Sequence, residues 1–213
     1  MKKNNFFAYA ILLSLFVVPT WAMEKEPSAE DQVLTRLMTM SSYKGIQVKV
    51  ASILKHDEAR YTPECSQLAT VEPVEITVLE EPEFAENQTP VKGSWMVRYE
   101  MDVCGQKLLR AIYFQVSDEQ ISMASLLPGN TKTDPQLQKD VTRTFKEAVL
   151  RAYPDCKIPF VTDTRLLALP KNGDAPWEEL WVMNACNNVF GQAIRFVPQD
   201  DGTAFSLYIP TKQ

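Results

Sequence analysis

The chain has 213 residues, with 22 Lys and Arg against 27 Asp and Glu, a single His and 7 Gly. One imidazole excludes a multi-histidine metal centre, and the few glycines form no phosphate-cradling loop. The apolar share of 45% and charged share of 23% are those of an ordinary globular protein, and the acidic balance argues against nucleic acid, whose phosphates need Lys and Arg.

Residues 1–22 read as a secretory signal peptide. Lys2 and Lys3 form a positive head, Phe6 to Val18 an apolar run of 13 residues, and Thr20 and Ala22 occupy the −3 and −1 positions of a cleavage site. The run falls short of the roughly 20 residues that span a bilayer, which disfavours an uncleaved anchor. No Cys stands at the cleavage point to carry a lipid. Removal of this segment leaves 20 basic and 27 acidic residues, a net charge of −7, which is unsuited to anionic lipid as well. A short, lysine-led signal of this kind is bacterial in character. The expected location is therefore the periplasm or the medium, with no transmembrane segment after signal removal.

Residues 23–42 carry an N-terminal helix. Ser28-Ala29-Glu30-Asp31 opens it, and Val33, Leu34, Leu37 and Met38 form its inward face. Over residues 43–60, Ile46, Val50 and Leu54 fit one helical stripe, while Ile46, Val48 and Val50 also alternate as in a strand. Comparison with the later part of the chain favours the helix. His56 sits in Lys55-His56-Asp57-Glu58 near the end of that helix, solvated beside two acids and without the oriented partner that a catalytic base requires.

Residues 61–91 hold seven Glu and no Lys or Arg. A strand at Val74–Val78 is expected there, followed by a loop over Glu80–Gly93. Glu80, Glu81, Glu83 and Glu86 make that loop acidic: a solvated segment, a contact for a basic protein partner, or a weak calcium site without the alternating ligands of a calcium hand. Asn87-Gln88-Thr89 has the form of a glycosylation sequon, discounted by Pro90 and the bacterial signal. Trp95, Val97, Tyr99, Met101 and Val103 then alternate as one face of a strand. Gly105-Gln106 turns the chain, Ile112, Phe114 and Val116 carry the next strand, Asp118-Glu119 turns it again, and Ile121–Leu127 is the last.

The second part repeats the first. Thr133-Asp134-Pro135-Gln136 starts a helix, with Thr133 as cap and Gln136 reaching back. Leu137, Val141, Phe145 and Val149 follow at four-residue spacing, and Pro154 ends the helix. Arg60 to Cys65 matches Arg151 to Cys156, and Trp95 to Pro128 aligns without gaps on Trp177 to Pro210, with 8 identities in 34 positions. Chance gives roughly two. Strands follow at Arg165–Leu169, from Trp177, around Ile194 and Phe196, and at Thr203–Ile209, with a turn at Asn187-Asn188. The expected class is α+β: two tandem repeats, 43–130 and 131–213, each a helix and about four antiparallel strands.

All four cysteines, Cys65, Cys104, Cys156 and Cys186, lie beyond the signal. An even count in an exported chain reads as two disulfides, and no CxxC pair supports zinc or redox chemistry. The duplication favours Cys65–Cys104 and Cys156–Cys186, one staple in each repeat.

Candidate chemistry is sparse. Trp95, Trp177 and Trp181 are either a stacking surface for sugars or core residues. Glycoside hydrolysis needs two carboxyls about 5–9.5 Å apart, and Glu178-Glu179 and Asp118/Asp200 are the candidates. The aspartates fall at turns and the glutamates at an exposed strand start, both structural readings. No cofactor or metal is implied. The expectation is an exported, non-enzymatic binding protein that contacts another envelope or extracellular protein, as an accessory part of an envelope or secretion assembly. A carboxylate-dependent envelope glycan hydrolase and a secreted inhibitor or host-directed factor are the alternatives.

Overall fold

The computed structural model describes residues 28–39, 43–61, 68–87, 89–118, 120–168, 175–186, 188–200 and 202–208. Residues 1–22, expected to be a signal peptide, and Cys65 lie outside them. Helices α1 (Ala29–Thr39) and α2 (Tyr43–Tyr61) precede a meander of four antiparallel strands, β1 (Leu68–Phe84), β2 (Pro90–Val103), β3 (Gln106–Ser117) and β4 (Gln120–Ser125). Helix α3 (Pro135–Ala152) then precedes a second four-stranded meander, β5 (Phe160–Ala168), β6 (Trp177–Ala185), β7 (Asn188–Gln199) and β8 (Gly202–Tyr208). The chain is thus an α+β fold of two sheet-plus-helix units.

Val48 shows why 43–61 is a helix. It is 70% exposed, whereas Ile46, Val50 and Leu54 are buried. A strand would have put Val48 on the face of its two neighbours. Helix α3 buries Leu137, Val141, Phe145 and Val149 as its spacing predicts. Its cap differs from expectation. Asp134 accepts from the Leu137 backbone N–H, while Thr133 is buried and bonded to Thr131. Asp134, next to Pro135, takes the capping place because Thr133 is already engaged with Thr131, and Gln136 donates to Asp140 on the outer face.

The duplication is carried in strand register. Trp95 pairs with Phe114, and Phe114 with Met123; Trp177 pairs with Phe196, and Phe196 with Phe205. The rings stack alike in both units, 5.6 Å apart for Trp95–Phe114 and 4.9 Å for Trp177–Phe196. Each sheet buries the alternating face beneath its own helix, with Met101 and Ile112 in one core and Met183 and Ile194 in the other.

The turns begin one position earlier than expected, at Cys104-Gly105 in the first unit and at Cys186 in the second. Cys104 and Gly105 both have positive φ, 50° and 78°, the backbone that suits the twist of a tight hairpin. Cys186 has the same conformation, φ 51°. The Cys156–Cys186 disulfide, Cα–Cα 5.5 Å, therefore ties the tip of the β6–β7 hairpin to the segment after α3. Cys104 is also disulfide-bonded.

The expected acidic loop is instead an arm of the first sheet. Strand β1 runs to Phe84 and β2 begins at Pro90, so Glu80, Glu81 and Glu83 stand on a strand and Glu86 in the turn. Lys92 across the arm bridges Glu80 and Glu83, and Glu80 in particular raises the Lys92 pKa. Gly93 permits the bulge: with φ +120°, a Cβ there would sit 2.6 Å from Pro82 Cα. The tip supports α1, because Arg36 lies over the Phe84 ring at 4.6 Å.

Candidate functional site

The segment between the units decides how they face one another. From Leu126 to Thr133 every backbone N–H is taken, Pro128 having none. Leu126 N–H donates to Ala111 O and Gly129 N–H to Leu109 O, which extends the β4 edge along β3. Asn130 N–H donates to Thr164 O and Thr131 N–H to Thr164 Oγ1, both on β5. Leu127 N–H reaches Gln138 Oε1, Lys132 N–H reaches Glu179 Oε1, and Thr133 N–H reaches Thr131 Oγ1. Such complete pairing makes the connection a fixed part of the structure, unlike a flexible linker. Gly129 is required at its centre: φ is +96°, and a Cβ would press on the Thr164 backbone.

Charged side chains reinforce the joint. Arg98 donates to the Thr131 carbonyl and pairs with Glu75, and Lys132 also reaches Glu75 at 3.1 Å. Burial pushes the Glu75 carboxyl up, but Lys132 and Arg98 outweigh it and hold its pKa below the ordinary value.

Two clefts result. One, of about 600 Å³, lies between the first unit and α3. Its first wall is Asp57 and the segment from Ser125 to Leu127; its second is the α3 flank bearing Lys139, Thr142, Arg143, Lys146 and Leu150. This flank is distinct from the core stripe of α3. The other, of about 590 Å³, lies between Gln106–Arg110 on β3 and Thr162–Leu166 on β5, with Gly129 and Asn130 between them.

The residues singled out from sequence are placed as follows. Trp95, Trp177 and Trp181 are buried, at 0%, 8% and 0% exposure, so they pack cores and present no stacking surface. Glu179 is a correction: the expected exposed position is fully buried, because strand alternation puts it on the same face as the two tryptophans. Its carboxylate accepts Trp177 Nε1–H at 2.9 Å, Trp181 Nε1–H at 2.7 Å and Lys132 N–H. Glu178 points to the opposite face and accepts the Tyr208 hydroxyl at 2.6 Å, a bond that raises the Tyr208 pKa. The pair therefore does not flank a common bond. Asp118 lies at the β3–β4 turn with φ 50°, and Asp200 at the β7–β8 turn. His56 is exposed on α2.

Sequence reasoning passed over Arg98, Gln138 and Thr164, which build the joint, and Glu58 and Arg110 within the first unit; Glu179 was singled out but read as exposed. Glu58 and Arg110 form a buried ion pair at 2.8 Å between α2 and β3. Glu58 continues the stripe of Ile46, Val50 and Leu54 by one further step of four, and that was the available signal. Among the described residues, no cluster of three or more His, Cys, Asp or Glu is arranged to hold a metal, and no helix is long and apolar enough to cross a membrane. No protein-family model, curated protein or solved structure matches the chain.

Proposed function

We propose that the protein is an exported, non-enzymatic binding protein that contacts another envelope or extracellular protein, as an accessory of an envelope or secretion assembly. The observation that carries this reading is the charged cleft between two units joined by a fully hydrogen-bonded connection. A rigid, preformed surface of this kind suits docking, because little conformational freedom is lost on contact. Glu178 and Glu179, the carboxylates that would serve a hydrolase, are engaged with Tyr208 and with two indoles and a backbone N–H, which leaves that alternative without its pair.

Residues 1–22 fit the export part of this proposal as a signal peptide, and Cys65–Cys104 as a second staple equivalent to Cys156–Cys186. Native fractionation of the producing cell tests the reading. Co-migration of the chain with a large envelope complex is the expected result. A free, monomer-sized species in a gently solubilised envelope would overturn the assembly role, and accumulation in the medium would favour a secreted factor.

A further inference from the structure

We infer that the α3 wall of the cleft docks an acidic segment of a partner protein, one with carboxylates roughly 10 Å apart; this rests on the binding-protein reading above. Helix α3 carries two stripes. Leu137, Val141, Phe145 and Val149 are committed to the core, while Lys139, Arg143 and Lys146 line the cleft. Seven residues at 1.5 Å rise put Lys139 and Lys146 roughly 10 Å apart along the axis, with Arg143 between them. Arg143 shares its charge with Asp140 at 2.9 Å. Among the described residues, Lys139 and Lys146 have no ion-pair partner. In a chain of net charge −5, this places three cations along one cleft flank. An acidic segment repelled elsewhere is drawn to that flank.

The remaining lining favours a peptide over a denser polyanion. Leu126, Leu127 and Leu150 add apolar contact for the segment's aliphatic groups, and Leu150 is 38% exposed. Asp57 and Glu147 stand at the same cleft, so the three cations of the flank face two carboxylates and the acidic segment is drawn to the α3 side alone. The first wall is fixed by the Leu126 and Leu127 backbone bonds, so the two sides are held in place before any partner arrives.

The test uses the full oxidised chain and N-acetylated, C-amidated hexaglutamate, with hexaglutamine as the neutral control. Backbone amide shifts are followed by NMR at low ionic strength and again near 0.15 M, where screening is stronger. The expected result is saturable shifts confined to residues 125–127 and the α3 flank, with none from hexaglutamine. Lys139→Glu with Lys146→Glu should weaken binding by about tenfold or more, since two attractive contacts become repulsive. Lys139→Gln with Lys146→Gln should give a smaller loss in the same direction, and it covers the case in which the reversal disturbs α3. Absence of saturable shifts, or equal binding by both variants, would overturn the proposal. Binding by uncapped hexaglutamate only would overturn it in favour of a free peptide recognised through its termini. Equal competition by inorganic phosphate would reduce the flank to a general anion site. Native fractionation of the Lys139→Glu, Lys146→Glu strain separates the two levels: a retained envelope complex with lost peptide binding removes the cleft while keeping the assembly role.

Discussion

Glu179 is the most demanding point in the second unit, and replacing it gives a graded prediction. The carboxylate has no solvent exposure and accepts three N–H groups, two from indoles and one from the Lys132 backbone. Glu179→Ala leaves all three donors unpaired in a buried site. Each stranded donor costs about 1–3 kcal/mol, while removal of the carboxylate recovers its own desolvation. A net loss of about 3–5 kcal/mol is expected, in the range seen when one member of a buried polar cluster is deleted. Glu179→Gln is the discriminating variant. Its carbonyl oxygen can keep the Trp177 and Lys132 bonds made by Oε1, but its NH₂ then faces the Trp181 N–H, donor against donor. About 1–3 kcal/mol should be lost, less than for Ala. Urea unfolding followed by far-UV circular dichroism and by tryptophan fluorescence reads both values. A loss below about 1 kcal/mol for Glu179→Ala would refute the reasoning, because it would mean that the three donors find other acceptors at once.

Three further outcomes follow from the same structure. Replacing Cys156 and Cys186 together by Ala should destabilise the second unit by about 3–4 kcal/mol through the loop entropy of their 30-residue separation, and an unchanged Tm in calorimetry would contradict it. Arg110→Met alone should cost about 3–5 kcal/mol by removing the cation from the buried Glu58 carboxylate, whereas Arg110→Met with Glu58→Leu should cost much less than the two single changes summed; additivity in the double-mutant cycle would show that the pair is not coupled. Glu75, with its pKa held below 4.5, contributes stability that is complete above 4.5 and is lost as pH falls through its lower folded value. Glu75→Gln should therefore flatten the acid limb of the stability curve below 4.5, and an unchanged limb would exclude the joint as its source.

The parts of the fold legible in the sequence are those fixed by local period and by the duplication. Trp95, Cys104 and Phe114 recur at Trp177, Cys186 and Phe196, and that spacing encodes the register of both hairpins because each pair meets across the same turn. The repeat also settled 43–61 as a helix, where alternation at Ile46, Val48 and Val50 alone was ambiguous. The acidic arm was misread because its Glu content resembles a solvated loop. What holds it as a strand is its ladder to β2, with Glu80 opposite Ser94, Glu83 opposite Lys92 and Phe84 opposite Pro90, together with the close approach of Gly93 to Pro82, all non-local pairings. The connection from Leu126 to Thr133 was hidden for a stronger version of the same reason. Its acceptors lie on β3, β5, β6 and α3, and no local pattern announces them.

Glu179 is different, since its signal was present and was overridden. Trp177, Glu179 and Trp181 share one parity in a strand, so if the tryptophans are core residues the glutamate between them must be buried with them. A buried indole needs an acceptor for its N–H, and a carboxylate two residues away on the same face supplies one to each ring. The first unit shows the counterfactual. There the equivalent position is Val97, and Trp95 Nε1 is buried with no partner among the described residues. The two copies thus solve the same strand differently. The second spends a charged group on joining its core to the inter-unit connection through the Lys132 N–H, one of the bonds that hold that connection in place. The basic stripe on α3 follows the same logic: Lys139, Arg143 and Lys146 were readable as one helical flank, but that they face a wall follows only from the non-local bonds that fix the two units together.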